Sequence, residues 1–183
     1  MSTDTSESAF ETELVDHLTS HGWEEGDPKS YRADLALDPE PLLAFVRETQ
    51  PEQWEKLEAF HNGDAEELFL KRVRESIDKF GTIHVLRRGI KHGPGKFFLC
   101  QFKPAFGANP KVVADYDTNR LTVTRQVHYS PFRPSESFDL VLFLNGVPVA
   151  TSELKTDLAQ SIKHAKSQYR NDRPAKDRST KQP

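Results

Sequence analysis

The sequence predicts one mixed α/β domain in which helices surround a central sheet. Helical patterns fill the first 80 of the 183 residues, and strand patterns with a tight hairpin dominate the stretch that follows. Another helical pattern comes after the hairpin. Helices before and after a run of strands are typical of a domain with one central sheet. The chain is long enough to bury a core of its own.

Four helices are expected in the N-terminal region. They cover residues 8–21, a segment from Pro39, a shorter segment after Pro51, and residues 64–80. The first has Ser8 and Glu11 at the spacing of a capping box, and Gly22 can end it. Proline favours the first helical position, which supports the second helix.

Strands are expected from residue 82 onwards. We predict them at 82–87, 97–102, 120–129, 137–144 and 147–154, with a basic loop at 90–95. The last two flank Asn145-Gly146, a dipeptide favoured in two-residue hairpin turns. A helix over 158–171 follows. We therefore expect one domain over residues 1–173, mainly helical to residue 80, and a polar tail over 174–183.

Composition excludes several classes of protein. Cys100 is the one cysteine, so an internal disulfide is impossible and a reducing, cytoplasmic setting is expected. We expect no membrane span and no signal peptide. Residues 1–80 have a net charge of −12, whereas residues 81–154 and 155–183 carry +4 and +5. A polyanion would be attracted to the second part; a solvated acidic face and a basic tail explain the charges equally well.

One acidic pair stands in apolar strands. Asp139 begins the apolar run 137–144, and the triplet Glu153-Leu154-Lys155 ends the next strand, fourteen residues further on. Residues two apart on a strand share a face, so Glu153 and Lys155 lie together. Two carboxylates suit Mg²⁺, and a nearby lysine suits a phosphate or a water molecule. The set predicts phosphodiester hydrolysis; an ordinary ion pair at the sheet edge is the alternative.

The hairpin register decides whether this site is possible. A strict two-residue turn at Asn145-Gly146 pairs residue 139 with residue 152, which puts Asp139 and Glu153 on opposite faces. A longer turn or a β-bulge returns them to one face. We therefore predict that the register departs from the strict one.

At these residues the chain resembles a known family, the N-terminal nuclease domain of the R subunit of type I restriction–modification enzymes. The similar segments are FETELVDHL, HGW, FDLVLFLNGVPVATSELK and QSIKHAKSQYRNDRP. The resemblance implies a PD-(D/E)xK nuclease core and cleavage of double-stranded DNA in an ATP-driven complex with modification and specificity subunits. It also implies a prokaryotic cytoplasmic protein. The motor domains of the family, which use ATP, are absent, so we expect a fragment.

The resemblance also implies roles for individual residues. Asp139 and Glu153 would bind Mg²⁺ or Mn²⁺, and Lys155 would be the catalytic lysine. Glu11 matches the acid on the first helix of the family, and Gln168 is the better match to its later glutamine. Candidate DNA contacts are Lys91, Lys96, Lys163, Lys166, Gln168, Tyr169 and Arg170.

Two other functions remain open at this point. One is a docking module with a nuclease fold and little activity alone, for which the acidic helices would supply a face. The other is a repair or recombination nuclease of the same fold. Neither histidine nor cysteine spacing indicates a zinc site, and Cys100 is expected in the core.

Overall fold

The computed structural model of the protein describes residues 7–104, 110–130 and 132–154. Within these ranges there are six helices, one sheet of four strands and one hairpin of two. The helices are α1 (Glu7–Thr19), α2 (Pro39–Thr49), α3 (Pro51–His61), α4 (Ala65–Phe80), α5 (Thr82–Arg88) and α6 (Pro110–Asp117). The strands are β1 (Glu24–Glu25), β2 (Ile90–His92), β3 (Gly95–Phe97), β4 (Leu121–His128), β5 (Ser137–Leu144) and β6 (Val147–Ser152).

The coarse fold prediction, a mixed α/β domain, is confirmed. The four-stranded sheet has the order β1-β4-β5-β6, and it is mixed because β1 runs parallel to β4 while the other pairs are antiparallel. Among the described helices, none has the length and apolar character that crossing a membrane requires. The predicted helix over 158–171 and the tail over 174–183 lie outside the described residues.

The helical layer formed by α2 to α5 has its own core. Pro39 and Pro51 stand at the starts of α2 and α3, as the sequence predicts, because proline lacks the N–H that would be unpaired there. Phe45, Phe69 and Phe97 are fully buried in this core. Val147, from the tip of the β5–β6 hairpin, is part of the same cluster, so the sheet and the helices are packed together at that end.

The strand predicted at 82–87 is wrong, because Thr82–Arg88 forms helix α5. Val85 is the one residue of this helix that is fully buried, and Thr82, Leu86 and Gly89 are half-buried on either side of it. That spacing of three to four residues follows a helix rather than a strand. Packing of this segment against α4 therefore outweighs the β-propensity of its isoleucine and valine residues.

The segment 90–102 also differs from expectation. The predicted loop at 90–95 contains β2 and the turn of a short β2–β3 hairpin, and the predicted strand at 97–102 ends at Phe97. The Gln50 side chain accounts for this end. Its Oε1 accepts the N–H of Phe98 at 2.8 Å and its Nε2 donates to the carbonyl of Phe98 at 2.9 Å. A glutamine amide thus replaces the partner strand. Helix α6 was not predicted.

A buried asparagine joins the hairpin tip to the rest of the molecule. Asn145 is fully buried, and its Oδ1 accepts the N–H of Arg120 at 2.7 Å. Its Nδ2 donates to the carbonyl of Leu99 at 2.9 Å and to Asn119 Oδ1 at 3.0 Å. The side chain therefore connects the β5–β6 turn, the start of β4 and the segment after β3, with all three of its bonds made inside the protein.

Replacement of Asn145 by glycine tests how much this hydrogen-bond network contributes to the stability of the fold. Glycine accepts the positive φ of 49° at this turn position, so the change removes only the side-chain bonds. We expect the free energy of unfolding to fall by about 2–4 kcal/mol, because a buried N–H and a buried carbonyl lose their partners. Urea denaturation measures it. Asn62→Gly, at an exposed position with the same φ, is the control and should change stability by under about 1 kcal/mol.

His61 and His92 form a second polar contact, between α3 and β2. Their Nε2 atoms lie 2.9 Å apart and the rings stack with centroids 4.8 Å apart. One ring must be neutral to accept the bond. Burial, followed by the neighbouring His61 and Arg72, lowers the pKa of His92 below its usual 6.5, while Glu75 acts in the opposite direction. His92 is therefore neutral in the folded protein at pH values where the unfolded chain binds a proton.

This shift predicts that acidification destabilises the fold. The stability linked to His92 is complete above pH 6.5 and is lost as the pH falls towards the lowered pKa, because protons then favour the unfolded chain. Urea denaturation at pH 7.5 and pH 5.5 should show a larger loss for the wild type than for His92→Gln. An equal loss in the two proteins would show that this histidine pair does not control the pH dependence.

Candidate active site

The acidic pair lies at the end of the hairpin that is distant from the turn. Asp139 is the third residue of β5, and Glu153 follows the last residue of β6. Both are half-buried. Asn145 is six positions after Asp139, which corresponds to about 20 Å along a strand. The hairpin thus has a tip held by the Asn145 network and a foot that carries the two carboxylates.

The register departs from the strict one, as predicted, through a β-bulge. The turn itself has two residues, because Leu144 pairs with Val147, and Asn145 and Gly146 both have positive φ. Phe143 then pairs with Pro148, but Leu142 pairs with Ala150. Val149 is therefore the extra residue of the bulge, next to a proline that has no N–H to give the ladder.

The bulge shifts the register so that the two acids can share a row of the sheet. Beyond it, Leu140 pairs with Ser152, and the same register continued by one residue would set Asp139 opposite Glu153. Residues directly opposite each other in an antiparallel pair share a face, with Cβ atoms about 5 Å apart. The N–H of Leu154 donates to Asp139 Oδ2 at 2.6 Å, which holds this carboxylate beside the end of β6.

The pair fits a Mg²⁺ site made mostly of non-protein ligands. Among the described residues, no group of three or more histidine, cysteine, aspartate or glutamate side chains is arranged to hold a metal. Mg²⁺ commonly binds one or two carboxylates and takes water and phosphate oxygens for the remaining positions. Two half-buried carboxylates on neighbouring strands, one of them fixed by a backbone N–H, satisfy that requirement.

Glu11 contacts the sheet and not the start of its own helix. Helix α1 begins at Glu7, so Ser8 lies inside it and the capping-box interpretation is wrong. The Glu11 carboxylate accepts a hydrogen bond from Gln126 Nε2 at 3.0 Å and lies 3.7 Å from Arg125 Nη1. Arg125 also donates from Nε to Glu25 at 2.8 Å. Helix α1 is thus fixed to β4 one strand away from Asp139.

Regular alternation of side chains is interrupted along β5 at Asp139. Leu140 packs in the cluster with residues of α1, whereas Val141 and Phe143 pack with Tyr31. Regular alternation would put Phe138 with Leu140, yet Phe138 packs with Val141 and Phe143. The alternation therefore breaks between Phe138 and Leu140, at the residue that carries the acid.

Lys91 and Lys96 lie in the helical layer and not beside the acidic pair. They face each other across the β2–β3 hairpin, which packs on α3 and α4, and both are exposed. The Lys96 ammonium lies over the ring of Phe98, 4.7 Å from its centre. A DNA contact here would belong to a separate surface from the foot of the β5–β6 hairpin.

Comparison with protein families shows to which family the chain belongs. Residues 4–183 match the family described as type I restriction enzyme R protein N terminus (HSDR_N). The chain belongs to this family. Among the curated proteins and among the solved structures, none shows significant similarity to it. The family resemblance inferred from the sequence is therefore confirmed.

Several residues that the R protein resemblance implicates lie outside the described residues. They are Lys155, Lys163, Lys166, Gln168, Tyr169 and Arg170. Their roles stay predictions. Cys100 is buried, and burial raises the pKa of its thiol to about 11, which agrees with the predicted core role.

Sequence reasoning missed three polar residues at the foot of the hairpin. Arg125 and Gln126 bind Glu11, and Ser137 Oγ donates to Gln126 Oε1 at 3.1 Å. Nothing in the pattern of β4 distinguishes Gln126 from an ordinary polar strand residue. Its contacts depend on α1, which is more than 100 residues earlier in the chain.

Replacement of Asp139 by asparagine should leave the fold intact. Asparagine has nearly the same shape, and its Oδ1 can still accept the N–H of Leu154, so we expect the free energy of unfolding to change by under about 1 kcal/mol. Asp139→Leu removes the acceptor and should cost about 1–3 kcal/mol. Urea denaturation of the two variants tests this; equal losses would indicate that the bond to Leu154 carries no stability.

Proposed function

We propose that this chain is the nuclease domain of a type I restriction enzyme R subunit, with a PD-(D/E)xK site that hydrolyses phosphodiester bonds of double-stranded DNA. The observation that carries the proposal is the bulged register, which pairs Leu140 with Ser152, the neighbours of Asp139 and Glu153 in the chain. Membership of the R protein family supports the restriction function over a repair or recombination function. Mixed α/β architecture with a central sheet is consistent with a nuclease core.

The proposed roles follow from the chemistry of the side chains. Asp139 and Glu153 hold Mg²⁺, with Mn²⁺ as a substitute, because hard oxygen ligands suit both ions. Bound Mg²⁺ lowers the pKa of a water ligand and neutralises charge on the scissile phosphate. The N–H of Leu154 holds the Asp139 carboxylate beside the end of β6. Lys155 follows directly and would carry a point charge to the phosphate or to the attacking water.

The substrate contacts are proposed to be mainly with phosphates. In the type I systems that the family implies, sequence is read by a specificity subunit, so this domain needs no base readout. Binding dominated by phosphate contacts weakens steeply with salt, because each contact releases a condensed counterion. ATP hydrolysis and DNA translocation would belong to motor domains elsewhere in the R subunit, and the modification and specificity subunits would complete the complex.

Cleavage of long duplex DNA by the 183-residue chain tests the proposal. We expect nicking or cutting with Mg²⁺ or Mn²⁺ and none with Ca²⁺. Asp139→Asn and Glu153→Gln should each lower the cleavage rate by at least about 100-fold, because each removes a charged ligand of the metal. Both variants keep nearly the shape of the native side chain, so an unfolded protein would not explain the loss.

The outcome also separates the proposal from its main rival. Cleavage by the wild type and by Asp139→Asn at the same rate would place the activity elsewhere and overturn the proposed site. No cleavage by the wild type, together with tight binding to the other subunits, would favour a docking module. Lys56→Ala is the matched control, because this exposed lysine lies on α3, outside the candidate DNA contacts, and its replacement should leave cleavage unchanged.

A further inference from the structure

One residue in the middle of β4 has a backbone conformation that strands do not use. Gln126 has a φ of 49°, in the left-handed region. Glycine adopts this region freely and asparagine tolerates it, whereas other residues do so rarely and at a cost. Such conformations persist only where the surrounding structure imposes them, and they concentrate at functional sites.

The distortion stands opposite Asp139. Arg125 pairs with Leu140 and Val127 pairs with Phe138, so the position between them sets Gln126 against Asp139. That pair is missing from the otherwise continuous ladder between β4 and β5. The backbone of β5 is therefore released from regular pairing at the one position where it carries the acid.

The side chain of Gln126 joins helix α1 to the start of β5 at this row. Its Nε2 donates to Glu11 Oε2 at 3.0 Å, and its Oε1 accepts from Ser137 Oγ at 3.1 Å. Glu11 belongs to α1, which packs on the Leu140 side of β5. Ser137 is the first residue of β5, two residues before Asp139.

We propose that Gln126 is a positioning residue for the acidic pair of the proposed nuclease site. Its left-handed backbone sets the direction of the β5 segment that carries Asp139. Its amide fixes Glu11, whose side chain is 14% exposed, to the end of the sheet. Gln126 itself does not bind the metal. This inference rests on the proposed function, because it assigns a task at the same site.

Three substitutions separate the backbone effect from the amide effect. Gln126→Gly keeps the left-handed conformation and loses both hydrogen bonds. Gln126→Val loses the bonds and also strongly disfavours positive φ, because its side chain is β-branched. Gln126→Asn tolerates positive φ and keeps a shorter amide. The order of effect should be valine, then glycine, then asparagine.

Mn²⁺ binding gives a readout that does not depend on catalysis. The full chain is titrated with Mn²⁺ in the presence of a short DNA duplex, and bound metal is followed by electron paramagnetic resonance. We expect Gln126→Val to raise the half-saturating Mn²⁺ concentration by about 10- to 100-fold, as loss of groups that orient metal ligands does elsewhere. Gln126→Gly should raise it less, and asparagine should recover most of the affinity.

Asn62 supplies matched controls. It has the same φ of 49° at the exposed end of α3. Asn62→Val should lower the melting temperature as Gln126→Val does, yet leave Mn²⁺ binding unchanged. A purely structural role of Gln126 would make the two valine variants alike in both measurements.

The outcomes distinguish this inference from the proposed function. Asp139→Asn abolishes Mn²⁺ binding if the proposed site is right. If it does so while all three Gln126 variants bind Mn²⁺ like the wild type, Gln126 has no positioning role and the metal site stands. If Asp139→Asn leaves Mn²⁺ binding unchanged, or the wild type binds none, the proposed site and the role of Gln126 are both overturned.

Discussion

The buried amide of Asn145 is the interaction on which the arrangement of the chain depends. It joins the turn of the β5–β6 hairpin, the start of β4 and the segment after β3 by hydrogen bonds. An unpaired polar group in such a place is costly. The three segments therefore keep one relative position, because any other would leave buried polar groups of this network without partners. Gly146 adds to the constraint, because a Cβ there would lie 2.1 Å from the carbonyl oxygen of Asp38, at the start of α2.

The position of the acidic pair follows from this constraint through the register. The Asn145 turn fixes Leu144 against Val147. From there a regular ladder would set Asp139 opposite Ser152, whereas the register beyond the bulge at Val149, continued one residue past Leu140 and Ser152, leads to Glu153. The site is thus specified by two local features of the hairpin and not by the length of the strands. A shift of one residue at either feature would move one of the two carboxylates to the other face.

Patterns that are local in the sequence could be predicted, and contacts between distant segments could not. The Asn145-Gly146 hairpin, the helices that begin at Pro39 and Pro51, and the need for a register shift were all evident from neighbouring residues. The strand predicted at 82–87 was wrong because the burial of Val85 against α4 outweighs β-propensity. The end of β3 depends on Gln50, 48 residues earlier, and the left-handed conformation of Gln126 has no signal in a strand pattern.

The two ends of the hairpin differ in a way that suits a metal site. At the tip, the polar atoms of Asn145 are paired inside the protein and the apolar contacts reach the helical core. At the foot, the carboxylates are half-buried, the ladder is interrupted and a residue holds an unfavourable φ. Proteins commonly accept strain and incomplete pairing where they bind ligands, and compensate for it elsewhere in the fold. Here the compensation is about 20 Å away along the same two strands. Exchange of water, metal and phosphate at the proposed site would therefore leave the contacts that hold the domain together unchanged.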